Sequence, residues 1–353
     1  MKRFVPVRIG QKAVSFLFDK LTFLRVTLAL LVAAGIFFIS LGLGEVWVSP
    51  LDIAKVLFGG GEPFHQLIIR DFRLPRILIA LLVGVALAVA GALLQGMVRN
   101  PLASPDIIGI SGGASVFVVG FLVLFSDSNG ALTISIQWLP VAAFLGALLA
   151  AILVYSFSWK NGLSPVRLVL IGIGLSMFMN ACTTLLMLVG PIYRASQANI
   201  WITGSVNGST WGQVWILFPW VLVLFIISLM MARHVNLLEL GDDVTKAMGS
   251  PISKQRIVIL LLSTGLVGGS VAFAGGIGFV GLMAPHLARK LIGSSYGALI
   301  PMSAIIGAAL VMLADLIGRL IAAPLEVPAG VFTAAIGAPY FIYLLFKERS
   351  KKS

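Results

Sequence analysis

The chain has 353 residues, of which 59% are hydrophobic and 11% charged, whereas a soluble domain carries about 25% charged residues. This excludes a water-soluble globule and indicates an integral membrane protein. The net charge of +12 does not point to nucleic acid, because the basic residues follow topology rather than forming one patch. The lone Cys182 excludes an intrachain disulfide and says nothing about redox compartment.

Residues 1–23 form a basic N-terminal segment. Lys2, Arg3, Arg8, Lys12, Lys20 and Arg25 lead into the apolar run Val26 to Leu43. Phe4, Val5, Phe16, Leu17 and Phe18 are interleaved with these cations, which suits a segment lying along the membrane surface. The run is longer than a signal-peptide core, and Leu43-Gly44-Glu45 offers no cleavage site, so an uncleaved first span is expected. Gly44 to Phe72, with Gly59-Gly60-Gly61 and Pro63, reads as a mostly irregular loop.

Arg73 to Gly113 reads as a hairpin through the bilayer. Pro75 suits the first turn of a helix, where its missing N–H would be unpaired anyway. Leu74 to Gly96 is nearly free of charge and meets the roughly 20 residues needed to cross a ~30 Å hydrocarbon core. Gly84, Ala86, Ala88, Ala90 and Gly91 thin its surface for close helix packing. Pro101 and Pro105 break the helix at an inner turn, and Asp106 is expected to cap the next one, which brings Gly109 and Gly113 to a partner helix.

The pattern predicts an all-α membrane protein of ten spans within 24–346: 24–43, 74–96, 107–125, 138–158, 166–189, 213–232, 255–273, 277–292, 300–321 and 331–346. Gly190 to Gly212, with Tyr193, Trp201 and Trp211, reads as a short interfacial helix followed by a turn. Lys55, Arg70, Arg73, Arg76, Arg194 and Arg319 fall on one side, and the other 19 of the 25 Lys and Arg on the opposite side. The positive-inside rule therefore puts both termini, including the basic tail 347–353, in the cytoplasm of a multi-pass protein of the cell membrane.

No phosphate-binding G-x-x-x-x-G-K-[S/T] loop occurs, so ATP is not assigned to this chain and no cofactor is expected in it. His65, His234 and His286 lack metal spacing, and no catalytic grouping is found; the reading is a transport subunit rather than an enzyme. A proton- or sodium-coupled carrier would bury ionisable groups on its pathway. Here Asp315 is almost the sole candidate, and Arg319 lies four residues on, on the same face. An ATP-independent secondary transporter therefore stays as the alternative.

Ser176, Asn180 and Thr184 recur every fourth residue with Thr183 beside them. They serve either helix-to-helix hydrogen bonds or a wet pathway, since polar groups in hydrocarbon need one or the other. Gln95 carries the same two readings. In the basic-side loop at about 234–250, Leu237, Leu238, Leu240, Val244 and Met248 leave an apolar surface around Gly241 and Asp242. Either the bundle or a partner protein covers it.

Arg73-Leu-Pro-Arg76, Gly91-Ala-Leu-Leu-Gln95-Gly96, Asn100-Pro-Leu-Ala103 and Gly109-Ile-Ser-Gly-Gly-Ala114 resemble, in order and spacing, the FecCD family. Gly278 to Arg289, Ala314 to Arg319 and Glu326 to Pro339 also match its wording. The resemblance implies a permease of an ATP-binding-cassette importer for iron-siderophores, haem or vitamin B12, with the type II importer permease fold. Its implied partners are a second permease, two ATPase subunits that bind the ATP, an extracytoplasmic binding protein and membrane lipid, with no nucleic acid. It implies that the 234–250 loop couples to the ATPase, that span 166–189 lines the pathway, and that Ser164, Pro165 and Val166 fall at the cytoplasmic gate. It also implies that Arg73, Arg76 and Arg319 dock acidic residues of the binding protein, the alternatives being headgroup contact and, for Arg319, pairing with Asp315.

Overall fold

The computed structural model describes residues 4–9, 14–127, 132–160, 164–190 and 192–349. Before the first span, β1 (Phe4–Ile9) pairs antiparallel with β2 (Val14–Asp19), Phe4 opposite Asp19 and Ile9 opposite Val14. The expected surface-lying segment is thus a hairpin. Val5, Val7, Ile9, Val14, Phe16 and Phe18 are β-branched or aromatic, types that favour strands.

Asp19 caps α1 (Lys20–Gly42) by accepting from the N–H groups of Leu21 and Thr22 at 3.0 and 3.4 Å, so this helix starts before its apolar run. The loop expected to be irregular is instead largely helical. Ser49 accepts from the Asp52 N–H at 3.2 Å and Pro50 occupies the first turn of α2 (Pro50–Leu57), a start signal that the glycines further on obscured. Next come α3 (Pro63–Gln66), a π-helical stretch Leu67–Arg73 and α4 (Leu74–Val98), continuous as one rod.

The remaining helices are α5 (Ile110–Leu124), α6 (Leu139–Ser158), α7 (Pro165–Val189), α8 (Ile192–Thr203), α9 (Trp211–Glu239), α10 (Asp242–Ala247), α11 (Ile252–Ala274), α12 (Val280–Ile292), α13 (Tyr296–Leu320) and α14 (Ala329–Arg349). Seven of the described helices are long and apolar enough to cross a membrane, and α5, α12 and the apolar part of α14 are shorter. Each of the ten expected spans corresponds to a helix.

The core forms around α4, which packs against α9, α11, α12 and α13; Ala80, Val83, Ala86, Val89, Ala90 and Leu94 are completely buried. Two glycine contacts bring backbones together. A Cβ on Gly84 would lie 2.3 Å from the Gly307 carbonyl oxygen of α13, and one on Gly91 would lie 1.8 Å from that of Gly281 on α12.

The hairpin differs from expectation in one respect. The segment 99–109 is not a turn at the bundle's end; it folds back into the bundle, so that Gly109 meets Ser176, midway along α7. Accordingly α5 has 15 residues, about 22 Å at 1.5 Å per residue, too short for a ~30 Å core. Asp106 does not cap α5, whose N-cap is Gly109. Its carboxylate accepts instead from the hydroxyls of Ser104 (3.3 Å) and Ser111 (3.1 Å) and from the Phe279 N–H. Irregular backbone at such depth is tolerated where protein groups satisfy it.

Candidate functional site

Three regions hold the residues singled out in the sequence. At one end of the bundle α9 runs on to Glu239, so the first part of the stretch expected as a loop at about 234–250 is the end of a 29-residue helix. Val235 and Leu238, three apart on its inner face, are buried at 0% and 1% exposure, and Leu237 is half-buried. Leu237 and Leu238 therefore do not belong to the exposed surface. Leu240, Val244 and Met248 do, at 61%, 46% and 61% exposure.

Gly241 turns the chain at φ 108° and ψ 159°, a conformation reserved in practice for glycine. Thr245 pins α10 beneath α9, its hydroxyl within reach of the carbonyls of Leu237 (2.8 Å) and Gly241 (2.6 Å). Asp242 is held by Arg256 Nη2 at 2.8 and 3.0 Å and by Arg99 Nη2 at 3.1 Å. Sequence reasoning missed both arginines, because neither stands at a spacing that marks it as a partner of Asp242: Arg256 is 14 residues on, and Arg99 lies beyond several intervening helices. The residues expected at the gate begin α7, which follows the α6 end: Pro165 takes the first turn, Val166 is 69% exposed, and Ser164 makes no side-chain cap.

The polar residues of α7 point in different directions. Ser176 donates to the Gly172 carbonyl at 2.8 Å and lies against the carbonyls of Asp106 and Ile107 at 3.5 and 3.4 Å. Thr183 is buried, bonded to the Met179 carbonyl at 2.9 Å. Asn180 and Thr184 share an exposed face with Leu170, Ile173, Gly174, Met177 and Leu188. Most of this span is left uncovered by the rest of the chain, whereas the span containing α4 is mostly buried. Gln95 does not join that face. It is 1% exposed and donates to the Leu282 carbonyl at 3.3 Å, because the Gly91 contact one turn earlier brings α12 within its reach.

At the opposite end the three arginines are buried, each under 10% exposed. Arg73 donates to the carbonyls of Leu41, Gly42 and Val46 at 2.7, 3.1 and 2.5 Å, closing the C-terminus of α1. Arg76 forks onto Asp315 through Nε and Nη2, at 2.9 and 2.8 Å, and reaches Glu326 (2.8 Å) and Asn207 (3.3 Å) through Nη1. Arg319 pairs with Asp315 at 3.3 Å and donates to the Ser40 carbonyl at 3.1 Å. Their guanidinium groups are engaged within the chain. The pairing of Glu326 with Arg76 went unnoticed in the sequence, although buried cations require acids nearby.

The FecCD transport family matches residues 29–347. The chain belongs to the FecCD transport family. It is 58% identical over 317 residues to the Bacillus subtilis (strain 168) protein described as a probable siderophore transport system permease, YfhA, covering 90% of this chain and 92% of that one. To the iron(3+)-hydroxamate import system permease protein FhuG of the same organism it is 43% identical over 325 residues, 92% of this chain and 96% of that one. A solved metal-chelate type ABC transporter in an inward-facing conformation superposes with a TM-score of 0.80 at 33% identity, covering 91% of this chain and 98% of that one. The chain is thus a membrane permease of the ATP-binding-cassette importer type, which works with ATPase and permease partners.

Proposed function

We propose that this chain carries iron(III) chelates of the siderophore class inward, with the α10 end in the cytoplasm and the Arg76 end facing an extracytoplasmic binding protein. The observation that carries the reading is the exposed apolar tip Leu240, Val244 and Met248 on an otherwise polar connection, a surface that needs a cover. A groove on the ATPase subunit is that cover. The substrate class follows the siderophore and hydroxamate permeases that the chain resembles, and a pathway face of amide, hydroxyl and apolar groups suits a bulky chelate. Both termini are cytoplasmic on this reading, in accord with the distribution of basic residues.

The test is reconstitution in liposomes with the cognate ATPase and binding protein, measuring uptake of radioactive iron as ferric hydroxamate. ATP-dependent uptake is expected. Asn180→Leu, on the exposed face of α7, should lower it about tenfold while the ATPase still co-purifies, a loss of about 1.4 kcal/mol that one polar contact can supply. Wild-type proteoliposomes that hydrolyse ATP yet take up no ferric chelate would sink the substrate assignment, and normal uptake by the variant would make Asn180 a packing residue.

Gly241→Val examines the coupling surface. The nearest atom to the new Cβ is Arg99 Nη1 at 3.5 Å, an ordinary contact, so the damage arises from holding valine at positive φ, about 1–3 kcal/mol. The α10 tip should be displaced and ATPase co-purification reduced. A variant that retains both the ATPase and normal uptake would show that the tip does not dock there.

A further inference from the structure

We propose that the segment 99–109 is the mechanical link between α10 and the exposed face of α7, and that Arg99 is the positioning residue through which α10 acts on it; this rests on the reading of α10 as the ATPase contact. Arg99 follows α4 and adopts φ 56°, ψ 38°. Asn or Gly takes that left-handed conformation far more readily than Arg, and either would end the helix as well. The backbone therefore gives no reason for arginine here, whereas the side chain does, since its Nη2 lies 3.1 Å from Asp242 at the start of α10.

From Arg99 the chain advances in successive turns, with the N–H groups of Ala103, Ile107, Ile108 and Gly109 donating to the carbonyls of Asn100, Ser104, Pro105 and Asp106. It ends against α7. A Cβ on Gly172 would meet the Ile108 Cα at 2.8 Å and the Ile107 carbonyl oxygen at 3.0 Å, so backbone rests directly on backbone there, and a Cβ on Gly109 would meet the Ser176 side chain, at Oγ, at 2.9 Å. Asn180 lies one turn beyond Ser176. With so little slack, a shift of the segment must move α7 or break the packing.

A second strap from the same end of α9 reaches the same segment. Glu239 accepts from the buried Tyr296 hydroxyl at 3.1 Å, and Arg289 of α12 donates to that hydroxyl at 3.0 Å. The N-cap of α12 is Phe279, whose N–H donates to the Asp106 carboxylate. Two routes thus run from the α9–α10 corner to 99–109, one to its first residue and one to its carboxylate. Neither route touches the substrate face itself.

The experiment compares Arg99→Asn with Arg99→Lys in the reconstituted complex. Asn removes the ion pair while suiting the left-handed backbone, so the fold is preserved; Lys retains the charge. Arg99→Asn is expected to keep ATPase binding and thermal stability but to raise the ATP hydrolysed per chelate imported about fivefold or more, the lower bound of an ordinary coupling effect. Arg99→Lys should recover most of the wild-type ratio. A nitroxide on Met177→Cys, in a Cys182→Ser background, should report nucleotide-dependent change in α7 that Arg99→Asn loses. A wild-type ratio and an unchanged nitroxide response in Arg99→Asn would overturn the proposal, as would loss of ATPase binding, which would make Arg99 a docking residue. Failure of the wild-type chain to bind any ATPase would instead overturn the reading of α10.

Discussion

Gly91→Val should yield no monodisperse protein in detergent. The new Cβ would lie 1.8 Å from the Gly281 carbonyl oxygen, 2.5 Å from its carbon and 2.7 Å from its Cα. All three are backbone atoms of α12, so no rotamer change relieves the overlap, and the helices must separate. Ordinary overpacking of a core costs about 1–3 kcal/mol where side chains can yield; here they cannot, so the loss should exceed that range. Separation would also break the Gln95 bond to the Leu282 carbonyl and lift Gly281 from Pro105, which a Cβ on Gly281 would meet at 3.0 Å. Gly35→Ala serves as the control, because no atom lies within 4 Å of its added Cβ. Its size-exclusion profile should match that of the wild type. A Gly91→Val variant that purifies as a single species with normal thermal stability would show that α4 and α12 do not approach so closely.

The spans were legible because their signal is local and redundant: long apolar runs, positions of prolines, and basic residues sorted by side. The small residues of α4 also pointed correctly to close packing, since a Gly at 84 or 91 says that something approaches even when the partner is unknown. What stayed hidden depends on pairs distant in sequence. Nothing near Asp242 indicates that Arg99 and Arg256 will reach it, and nothing near Asp106 indicates that the Phe279 N–H will. The proline-rich stretch 99–109 showed a helix break but not its depth, because a turn in water and a turn lined by protein require the same local residues. Periodicity placed Ser176, Asn180 and Thr184 on one stripe. Yet the packing of 106–109 against α7 half-covers Ser176 and leaves Asn180 exposed, a division that only the neighbouring backbone decides.

At the opposite end of the bundle, Glu replacements of the arginines would mislead. A glutamate at 76 would face Asp315 and Glu326, both now within 3.0 Å of Arg76, and the lost uptake would reflect like-charge repulsion rather than a lost partner. Arg76→Met compared with Glu326→Gln separates the two contributions. Asp315 is 3% exposed, and removing Arg76 leaves it with Arg319 at 3.3 Å, whereas the Glu326 side chain is 34% exposed. Breaking a buried pair from one side costs about 3–5 kcal/mol, and a pair with one exposed partner is worth about 0–1 kcal/mol. Thermal unfolding in detergent should therefore show a large loss for Arg76→Met and a small one for Glu326→Gln. The same asymmetry identifies the contact that a docking protein can exchange. On the proposed docking at this end, an incoming carboxylate would reach Arg76 Nη1 by displacing Glu326, which can turn to water, and would leave the Asp315 fork intact, with Arg73 and Arg319 bracing α1. Glu326→Gln should accordingly speed binding-protein association, with the gain shrinking as salt screens the pair. Equal stability losses in the two variants, or association unchanged at low salt, would place the docking surface elsewhere on this end of the bundle.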